Sequence, residues 1–360
     1  MRRVLNFSAG PAVLPEEVIA QIQAEIFDWQ GSGMSVMEMS HRSFEFESIL
    51  KSAMTDLIGL LNLGDEYEIL FMQGGATAQF ATVPMNLLTQ NKKADYVCTG
   101  QWGKKAIKEA KKFGLINIAA SSEDRNFSYI PEETEWKLDP DADYVHITSN
   151  ETIGGVEFHW DPDTGDIPLV SDMSSHFLSR TVDVSKYGVI YAGAQKNIGP
   201  AGLTIVVIRK DLVGRTEKTL PAMQDYRVFA ENRSMSNTPP CYSIYVAGLV
   251  FKWLKRKGGL EGIEKTNIFK SQLLYEYLDG SDFYQTPVDP MFRSRMNVPF
   301  KTNDVSTNEK FLIEARANDL CELKGHRSVG GMRASIYNAM PVEGIKILID
   351  FMREFERKNG

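Results

Sequence analysis

Short apolar segments alternate with helical patterns through residues 67–208, and this rhythm limits the possible folds more than any other feature of the chain. Each apolar segment has between four and six residues, which is the usual length of a buried strand. Alternating strands and helices indicate an α/β fold with a mostly parallel sheet, in which ligands bind at the carboxyl ends of the strands. The six predicted strands are residues 67–72, 94–99, 144–148, 167–170, 189–192 and 203–208.

Helical spacing of apolar residues predicts further elements on both sides of this segment. A helix that opens at Pro15 should continue to Gly31, and others should cover 45–61, 102–113, 263–278 and 342–355. An apolar helix should also follow the proline pair at 239–240.

The pattern changes after the glycine pair at 258–259, where strands are expected only at 295–299 and near 328–336. These features predict a domain boundary near 258–262 and a smaller α+β C-terminal domain.

Charge and cysteine content exclude several classes of protein. The chain has 40 basic and 47 acidic residues, a net charge of −7, so it lacks the basic excess of a nucleic-acid-binding protein. Cys98, Cys241 and Cys321 are widely spaced and form no disulfide or metal pattern, and Cys321 is expected in the core at the end of a helix. Residues 1–7 contain no signal-peptide core, and no apolar run approaches the ~20 residues that span a membrane. We therefore expect a cytoplasmic protein.

Two glycine-containing loops follow predicted strands, and each permits two interpretations. Gly74-Gly75-Ala76-Thr77 leads into a helix, so it is either an anion-binding cup for a phosphate or an ordinary turn. It matches neither common nucleotide-binding fingerprint. Trp102, in the loop at 100–103, could lie flat against a planar ligand or pack into the core.

A carboxylate and a lysine follow two further predicted strands. Asp172 could pair with a pyridinium N–H or cap the following turn, and a buried carboxylate is costly without a partner. Lys196 lies among small residues between two apolar strands, where an amine can lose its proton and form a Schiff base. A lysine for an aldehyde, an aspartate for a ring nitrogen, an anion cup and an aromatic platform together describe a pyridoxal-phosphate site.

Long motifs across the whole chain strengthen this interpretation. The sequence resembles the phosphoserine aminotransferases, in the class V aminotransferase group of fold-type I pyridoxal-phosphate enzymes. That resemblance implies a seven-stranded, mostly parallel sheet flanked by helices. We expect residues 15–260 to form the large domain, and residues 1–14 with 261–360 the small one. The motifs are NFSAGPA at 6–12, MSHRS at 39–43, NETIGG at 150–155, YAGAQKNIGP at 191–200, NTPP at 237–240 and GGMRAS at 330–335.

The resemblance implies a role for each cofactor-binding residue around the ring of pyridoxal 5′-phosphate. Lys196 would form the internal aldimine, and Asp172 would pair with the pyridine nitrogen. Trp102 would stack on the ring, while Thr152 would contact its 3-hydroxyl group.

The cofactor phosphate would be bound from two subunits. By the same resemblance, Ala76, Thr77 and Gln195 would hold it within one subunit. Asn237 and Thr238 would reach it from the other subunit, which implies a homodimer with shared active sites.

Arginine and histidine residues form a candidate substrate site. Arginine binds carboxylates and phosphates in a bidentate way, so Arg333 and two His-Arg pairs suit a substrate with two anionic groups. The resemblance places Arg333 on the α-carboxylate. It places His326 and Arg327 at the distal anion, together with His41 and Arg42 from the partner subunit.

These observations predict a transaminase of serine biosynthesis. It would interconvert 3-phosphohydroxypyruvate and L-glutamate with O-phospho-L-serine and 2-oxoglutarate. Lys196 would be the general base, and one site for two half-reactions implies ping-pong kinetics. The alternatives are another class V activity, such as an alanine–glyoxylate aminotransferase or a cysteine desulfurase, and a non-catalytic nucleotide-binding protein. No metal is expected.

Overall fold

The computed structural model describes residues 3–89, 91–216 and 219–360. Within these ranges the chain alternates strands and helices up to about residue 210 and then becomes mainly helical. The strands are β1 (Leu5–Asn6), β2 (Tyr67–Met72), β3 (Lys93–Cys98), β4 (Leu115–Ser121), β5 (Val145–Thr148), β6 (Asn150–Glu151), β7 (Val156–Glu157), β8 (Leu169–Asp172), β9 (Tyr187–Gly193), β10 (Thr204–Arg209), β11 (Tyr284–Gln285), β12 (Asn297–Thr302), β13 (Leu320–Cys321) and β14 (Met332–Ser335).

The α-helices pack on both sides of the central sheet and around the C-terminal strands. None of the helices in the described ranges is long and apolar enough to cross a membrane. The helices are α1 (Glu16–Glu25), α2 (Phe44–Leu61), α3 (Gly75–Leu87), α4 (Gln101–Ala110), α5 (Tyr226–Glu231), α6 (Cys241–Arg256), α7 (Gly259–Asp279), α8 (Val305–Ala317) and α9 (Val342–Asn359).

Seven strands form the central sheet, in the order β2-β10-β9-β8-β5-β3-β4. Only β10 runs antiparallel to its neighbours, while β9, β8, β5, β3 and β4 pair in parallel. Because β10 is antiparallel to both β2 and β9, β2 has the same direction as the other five strands. The predicted fold class, a mostly parallel seven-stranded sheet flanked by helices, is confirmed.

Two elements have weak sequence patterns and were not predicted. Strand β4 lies at the edge of the sheet, and Leu115 and Ile118 on it remain exposed, so its sequence lacks a clear buried face. Helix α8 buries few apolar side chains, among them Phe311 and Ala315, which leaves only a narrow apolar stripe.

Two local predictions were wrong. Helix α1 ends at Glu25 instead of continuing to Gly31, because the Asp28 carboxylate accepts a hydrogen bond from Gly33 N (2.7 Å) and folds the chain into a turn. Cys321 does not end a helix. It lies in β13, which pairs in parallel with β1.

Three apolar clusters form the core. Two of them cover the two faces of the central sheet, since successive residues of a strand point to opposite faces. The third joins Phe7 to apolar residues of α7, α8, α9 and strands β11, β12 and β14.

We propose that this third cluster is the core of the small domain, built from residues 1–14 and 261–360. The pairing of β1 with β13 supports the inclusion of the N-terminal segment. Helix α7 contributes to both cores, because Leu260 and Ile263 pack with the large sheet whereas Leu274 and Leu278 pack in the third cluster.

Candidate active site

The parallel strands bring distant parts of the chain to one edge of the sheet. Strands β2, β3, β5, β8 and β9 all end at this edge because they run in the same direction. Thr148 at the end of β5 is paired with Asp172 at the end of β8, and Asp172 with Tyr191 in β9. The loops that follow these strands therefore converge, as the α/β rule requires.

Lys196 lies in the loop after β9 and makes a hydrogen bond across the sheet edge. Its Nζ atom donates to the Thr152 hydroxyl at 2.6 Å, although the two residues are 44 positions apart. The same Nζ atom lies 5.2 Å from the centre of the Trp102 ring. The structure thus brings together Lys196, Thr152 and Trp102, three of the predicted site residues.

The surroundings of Lys196 favour a neutral amine. Burial lowers the pKa of its ammonium group from 10.5 to about 8, and the positive charges of Arg333 and Lys105 act in the same direction. The carboxylates of Asp172 and Glu151 partly oppose this change. An amine with a pKa near 8 is available as a base or nucleophile close to neutral pH.

Asp172 is a buried acid at the end of β8, with 5% of its surface exposed. Burial raises the pKa of its carboxyl group, while the charge of Lys196 and hydrogen bonds from Ser174 favour the ionised form. Its Oδ1 atom accepts a hydrogen bond from Ser174 N at 2.9 Å. A buried carboxylate that faces a cationic group can hold a proton on a ligand's ring nitrogen.

Helix α3 presents an open N-terminus at the same edge. Gly74 precedes it with φ of 95°, and no side chain caps the helix. A side chain at Gly74 would also be too close to Ala78, since a Cβ atom there would lie 2.6 Å from the Ala78 Cβ. Glycine is therefore required at this turn. The free N–H groups near Ala76 and Thr77 suit an anion such as a phosphate.

Arg333 on β14 connects the C-terminal strands to this site. Its Nη1 atom donates to the carbonyl oxygen of Thr152 at 3.2 Å. Its buried Nε atom has no hydrogen-bond partner among the residues that the structure describes. Burial lowers the pKa of the guanidinium group. A buried arginine with an unused donor is suited to bind a substrate carboxylate.

His326 and Arg327 lie in the loop before β14 and are more accessible. The His326 ring hydrogen-bonds the Ser328 hydroxyl at 2.8 Å through Nδ1. Partial burial lowers the pKa of His326, as do the charges of Lys105, Arg333 and Arg327. The loop therefore adds the cationic Arg327 and a hydrogen-bonding imidazole to the neighbourhood of Arg333.

Four predicted site residues remain outside this group. His41 and Arg42 precede α2, and Asn237 and Thr238 precede α6. In the part of the chain that the structure describes, no hydrogen bond or ion pair joins them to Lys196 or its neighbours. The contacts of Lys196 within this chain therefore involve only some of the predicted residues. Gln195 precedes Lys196 in sequence, and its side chain packs against Gly193.

Two residues of the site were missed at the sequence level. Glu151 belongs to the NETIGG motif but received no role, although it is fully buried and lies at the N-terminus of α4. Its neighbours in sequence are the polar residues Ser149, Asn150 and Thr152. Nothing in the sequence therefore indicated that this acid is buried. Lys105, within the helix expected over 102–113, also has no role in the sequence analysis, yet its Nζ atom lies 3.9 Å from the centre of the Trp102 ring.

Known proteins match the chain over its full length. The family model described as aminotransferase class-V matches residues 4–348. A phosphoserine aminotransferase of Acidithiobacillus ferrooxidans is 60% identical over 99% of both chains. One from Herminiimonas arsenicoxydans is 58% identical over 100% of both.

The chain belongs to the phosphoserine aminotransferases of class V. Solved structures of this family agree with the assignment. The enzyme from Bacillus circulans subsp. alkalophilus superposes with a TM-score of 0.98 at 47% identity, over 99% of each chain. A pyridoxal-phosphate-bound enzyme from Trichomonas vaginalis gives 0.93 at 41% identity, over 98% of this chain and 100% of that one. An alanine–glyoxylate aminotransferase of Nostoc, with 0.77 at 14% identity, shares the fold alone.

Pyridoxal phosphate is the cofactor of this aminotransferase, and the site fits it. A partly desolvated lysine, a buried carboxylate and an uncapped helix N-terminus meet at one sheet edge. These are the groups needed for an aldehyde, a ring nitrogen and a phosphate. Within the described ranges, no cluster of three or more potential metal ligands is present.

Proposed function

We propose that the protein interconverts 3-phosphohydroxypyruvate and L-glutamate with O-phospho-L-serine and 2-oxoglutarate, as a cytoplasmic homodimer in serine biosynthesis. The observation that carries the proposal is the Lys196 amine, desolvated and hydrogen-bonded to Thr152 in a chain up to 60% identical to phosphoserine aminotransferases. Thr152 also accepts a hydrogen bond from Arg333, the arginine that we expect to bind the substrate. Thr152 therefore links the reactive lysine to the substrate-binding arginine.

The cofactor supplies an aldehyde for the amino group of the substrate and a ring that withdraws electrons from it. Lys196 would hold the aldehyde carbon, and Asp172 would keep the proton on the ring nitrogen. Trp102 would cover one face of the ring, and Thr152 would bind its 3-hydroxyl group.

The phosphate of the cofactor would lie at the N-terminus of α3. Ala76 would contribute its backbone N–H group and Thr77 its hydroxyl, and Gln195 would complete the set within one subunit. The open helix end supports this assignment. Asn237 and Thr238 would approach from the partner subunit.

Lys196 would move the proton in both half-reactions. Its Nζ atom would take the proton from the Cα of the amino donor and deliver it to C4′ of the cofactor, and both transfers would be reversed with the keto acid. A pKa near 8 leaves part of the amine unprotonated at neutral pH, whereas an ordinary lysine would be almost fully charged. The hydrogen bond to Thr152 fixes the direction from which Nζ reaches the substrate.

The substrate anions would be divided between two groups of residues. Arg333, with its unpaired Nε atom, would bind the α-carboxylate that every substrate carries. His326 and Arg327 would bind the distal phosphate or carboxylate, helped by His41 and Arg42 of the other copy. Several cations around a phosphate would favour phosphorylated substrates over glyoxylate or pyruvate.

Exposed apolar residues beside His41 and Arg42 support the dimer. Met37 and Phe44, which flank the His-Arg pair in sequence, are 60% and 81% exposed, and Phe27 earlier in the chain is 88% exposed. Large apolar side chains on a surface are typical of an interface. A second copy that covered them would bring His41 and Arg42 to a neighbouring Lys196 site.

A steady-state assay with L-glutamate tests this function. We expect 3-phosphohydroxypyruvate to be the preferred acceptor, glyoxylate to be poor, and double-reciprocal plots to be parallel as in ping-pong kinetics. Lys196→Ala is the control and should have no turnover. A preference for glyoxylate would replace the proposal with the alternative class V activity.

A further inference from the structure

Glu151 is a buried acid that receives two backbone hydrogen bonds from the start of α4. Its Oε2 atom accepts from Trp102 N at 3.1 Å, and its Oε1 atom accepts from Gly103 N at 2.8 Å. The side chain is fully buried on β6. No side chain of α4 or of its N-cap residue, Gly100, caps this helix. The carboxylate therefore caps the helix from a distant strand.

The loop before α4 is shaped around this carboxylate. A Cβ atom at Gly100 would lie 2.3 Å from Glu151 Cδ, so any side chain there would displace the acid. At Gly103 a Cβ atom would meet Glu151 Oε1 at 3.5 Å, which is an ordinary contact. Glycine is thus needed at position 100, where the backbone lies close to the Glu151 side chain, but it is not needed at position 103.

The carboxylate also lies within the electrostatic field of the catalytic groups. Burial raises the pKa of Glu151 to about 7, the two backbone hydrogen bonds lower it, Asp172 raises it and Lys196 lowers it. Burial raises the pKa of the Cys98 thiol on β3 to about 11, and the charge of Glu151 acts in the same direction. Strands β3, β6 and β8 and the loop after β9 therefore all contribute charged or titratable groups around Glu151.

We infer that Glu151 is a positioning residue, which holds the Trp102 indole against the cofactor ring by fixing the first turn of α4. This inference rests on the proposed function, because it assigns a role to Trp102 at the same site. Within the described part of the chain no hydrogen bond fixes the indole, because its buried Nε1 atom has no partner there. Its ring contacts are with Phe80, at a tilted 6.4 Å centroid distance, and with the ammonium groups of Lys105 and Lys196, at 3.9 and 5.2 Å from the ring centre.

Cofactor affinity in a double-mutant cycle tests the inference. The apoprotein is titrated with pyridoxal phosphate, and the dissociation constant is read from visible absorbance. Glu151→Gln keeps the shape but loses the charge and turns an amide N–H toward a backbone donor. We expect it to raise the dissociation constant by about fivefold to tenfold, close to the effect of Trp102→Ala, because aromatic stacking contributes about that much.

The decisive quantity is the non-additivity of the two changes. In the Trp102→Ala background, Glu151→Gln should change the dissociation constant by less than about twofold, since the ring that it positions is gone. Glu109→Gln, a surface carboxylate of α4 that pairs with Lys112, is the control and should have no effect in either background. An equal loss in both backgrounds would overturn the inference.

A second pair of variants covers the case in which Glu151→Gln does not fold. Gly100→Ala should raise the dissociation constant, because it pushes the carboxylate away without removing its charge. Gly103→Ala is the matched control and should bind the cofactor as the wild type does. Equal affinities for the two alanine variants would contradict the positioning role. Failure of the wild type itself to bind pyridoxal phosphate at Lys196 would instead refute the proposed function.

Discussion

Lys196 Nζ donates a hydrogen bond to the Thr152 hydroxyl at 2.6 Å, and the carbonyl oxygen of the same threonine accepts one from Arg333. Thr152 thus connects the lysine of the large sheet with an arginine of the C-terminal strands. Thr152 and Lys196 lie in loops at the edge of the central sheet, whereas Arg333 comes from β14 of the three-stranded C-terminal sheet. One threonine therefore binds a base through its hydroxyl group and an anion-binding residue through its carbonyl oxygen.

The first prediction concerns the pH at which Lys196 becomes reactive. In the apoprotein, reductive methylation of Lys196 by formaldehyde and sodium cyanoborohydride should rise with pH through a midpoint of about 8, because burial lowers the pKa of its ammonium group. Exposed lysines have a pKa of about 10.4, so their rates should still increase well above that pH. Peptide mapping by mass spectrometry measures both in one sample.

The Asp172→Asn variant tests the direction in which the Asp172 carboxylate shifts the pKa of Lys196. The Asp172 carboxylate raises the pKa of Lys196 by favouring its charged form, so its removal should move the midpoint below 8. Asp163→Asn, an exposed acid outside the site, should leave the midpoint unchanged. An upward shift in Asp172→Asn would contradict the assigned electrostatics.

The second prediction separates the two ends of the substrate. His326→Ala should slow the single-turnover reaction with O-phospho-L-serine by roughly 10–150-fold, because a hydrogen bond to a charged group is lost. L-Glutamate should be affected less, since its distal carboxylate needs fewer contacts. Arg333→Ala should slow both donors alike. Equal losses with both donors in His326→Ala would withdraw His326 from the distal-anion site.

The third prediction concerns shared active sites. Lys196→Ala and Arg42→Ala homodimers should each be inactive or nearly so, but exchange of their subunits should restore activity. Random mixing gives one intact site in half of the dimers, or about a quarter of wild-type activity. Demonstrated subunit exchange with no return of activity would show that Arg42 does not act from the partner subunit.

The fourth prediction concerns stability. Lys270 is fully buried in α7, and its Nζ atom donates to the carbonyl oxygens of Ile336, Tyr337 and Met340 at 2.9, 2.7 and 3.0 Å. Lys270→Met would remove all three hydrogen bonds, and among the described residues only Tyr337 O would keep another donor, the Met340 N–H at 3.1 Å. The change should lower the free energy of unfolding by ~3 kcal/mol or more.

Lys265→Met, an exposed lysine of the same helix, is the matched control and should change the stability by less than ~0.5 kcal/mol. Urea denaturation of the two apoprotein variants measures the difference. Equal stability of both variants would show that the Lys270 contacts contribute nothing.

The sequence predicted the strands whose residues show a clear local pattern. Five of the six predicted strands in the central sheet overlap the observed ones at nearly every residue, and β2 coincides with its prediction. At 167–170 the strand begins two residues later, at Leu169. The edge strand β4 could not be found because its partly exposed residues give no period.

The candidate site likewise contains residues that the sequence indicated and residues that it did not. Lys196 and Asp172 could be found because lysine and aspartate are unusual beside buried strands, and the structure places both at the sheet edge. Glu151 acts on backbone groups of a different loop, and a sequence pattern does not reveal such a contact. The assignments of His41, Arg42, Asn237 and Thr238 depend on a second subunit and stay predictions, as does the domain boundary near residue 260.

The central claim is most directly tested by one half-reaction. The cofactor-loaded protein is mixed with O-phospho-L-serine in the absence of a keto acid, and the visible absorbance of the bound cofactor is followed. We predict its loss, with about one molecule of 3-phosphohydroxypyruvate released per Lys196 site, and a reaction with L-alanine slower by at least about 100-fold. Conversion by L-alanine as fast as by O-phospho-L-serine, or no response to O-phospho-L-serine, would contradict the account.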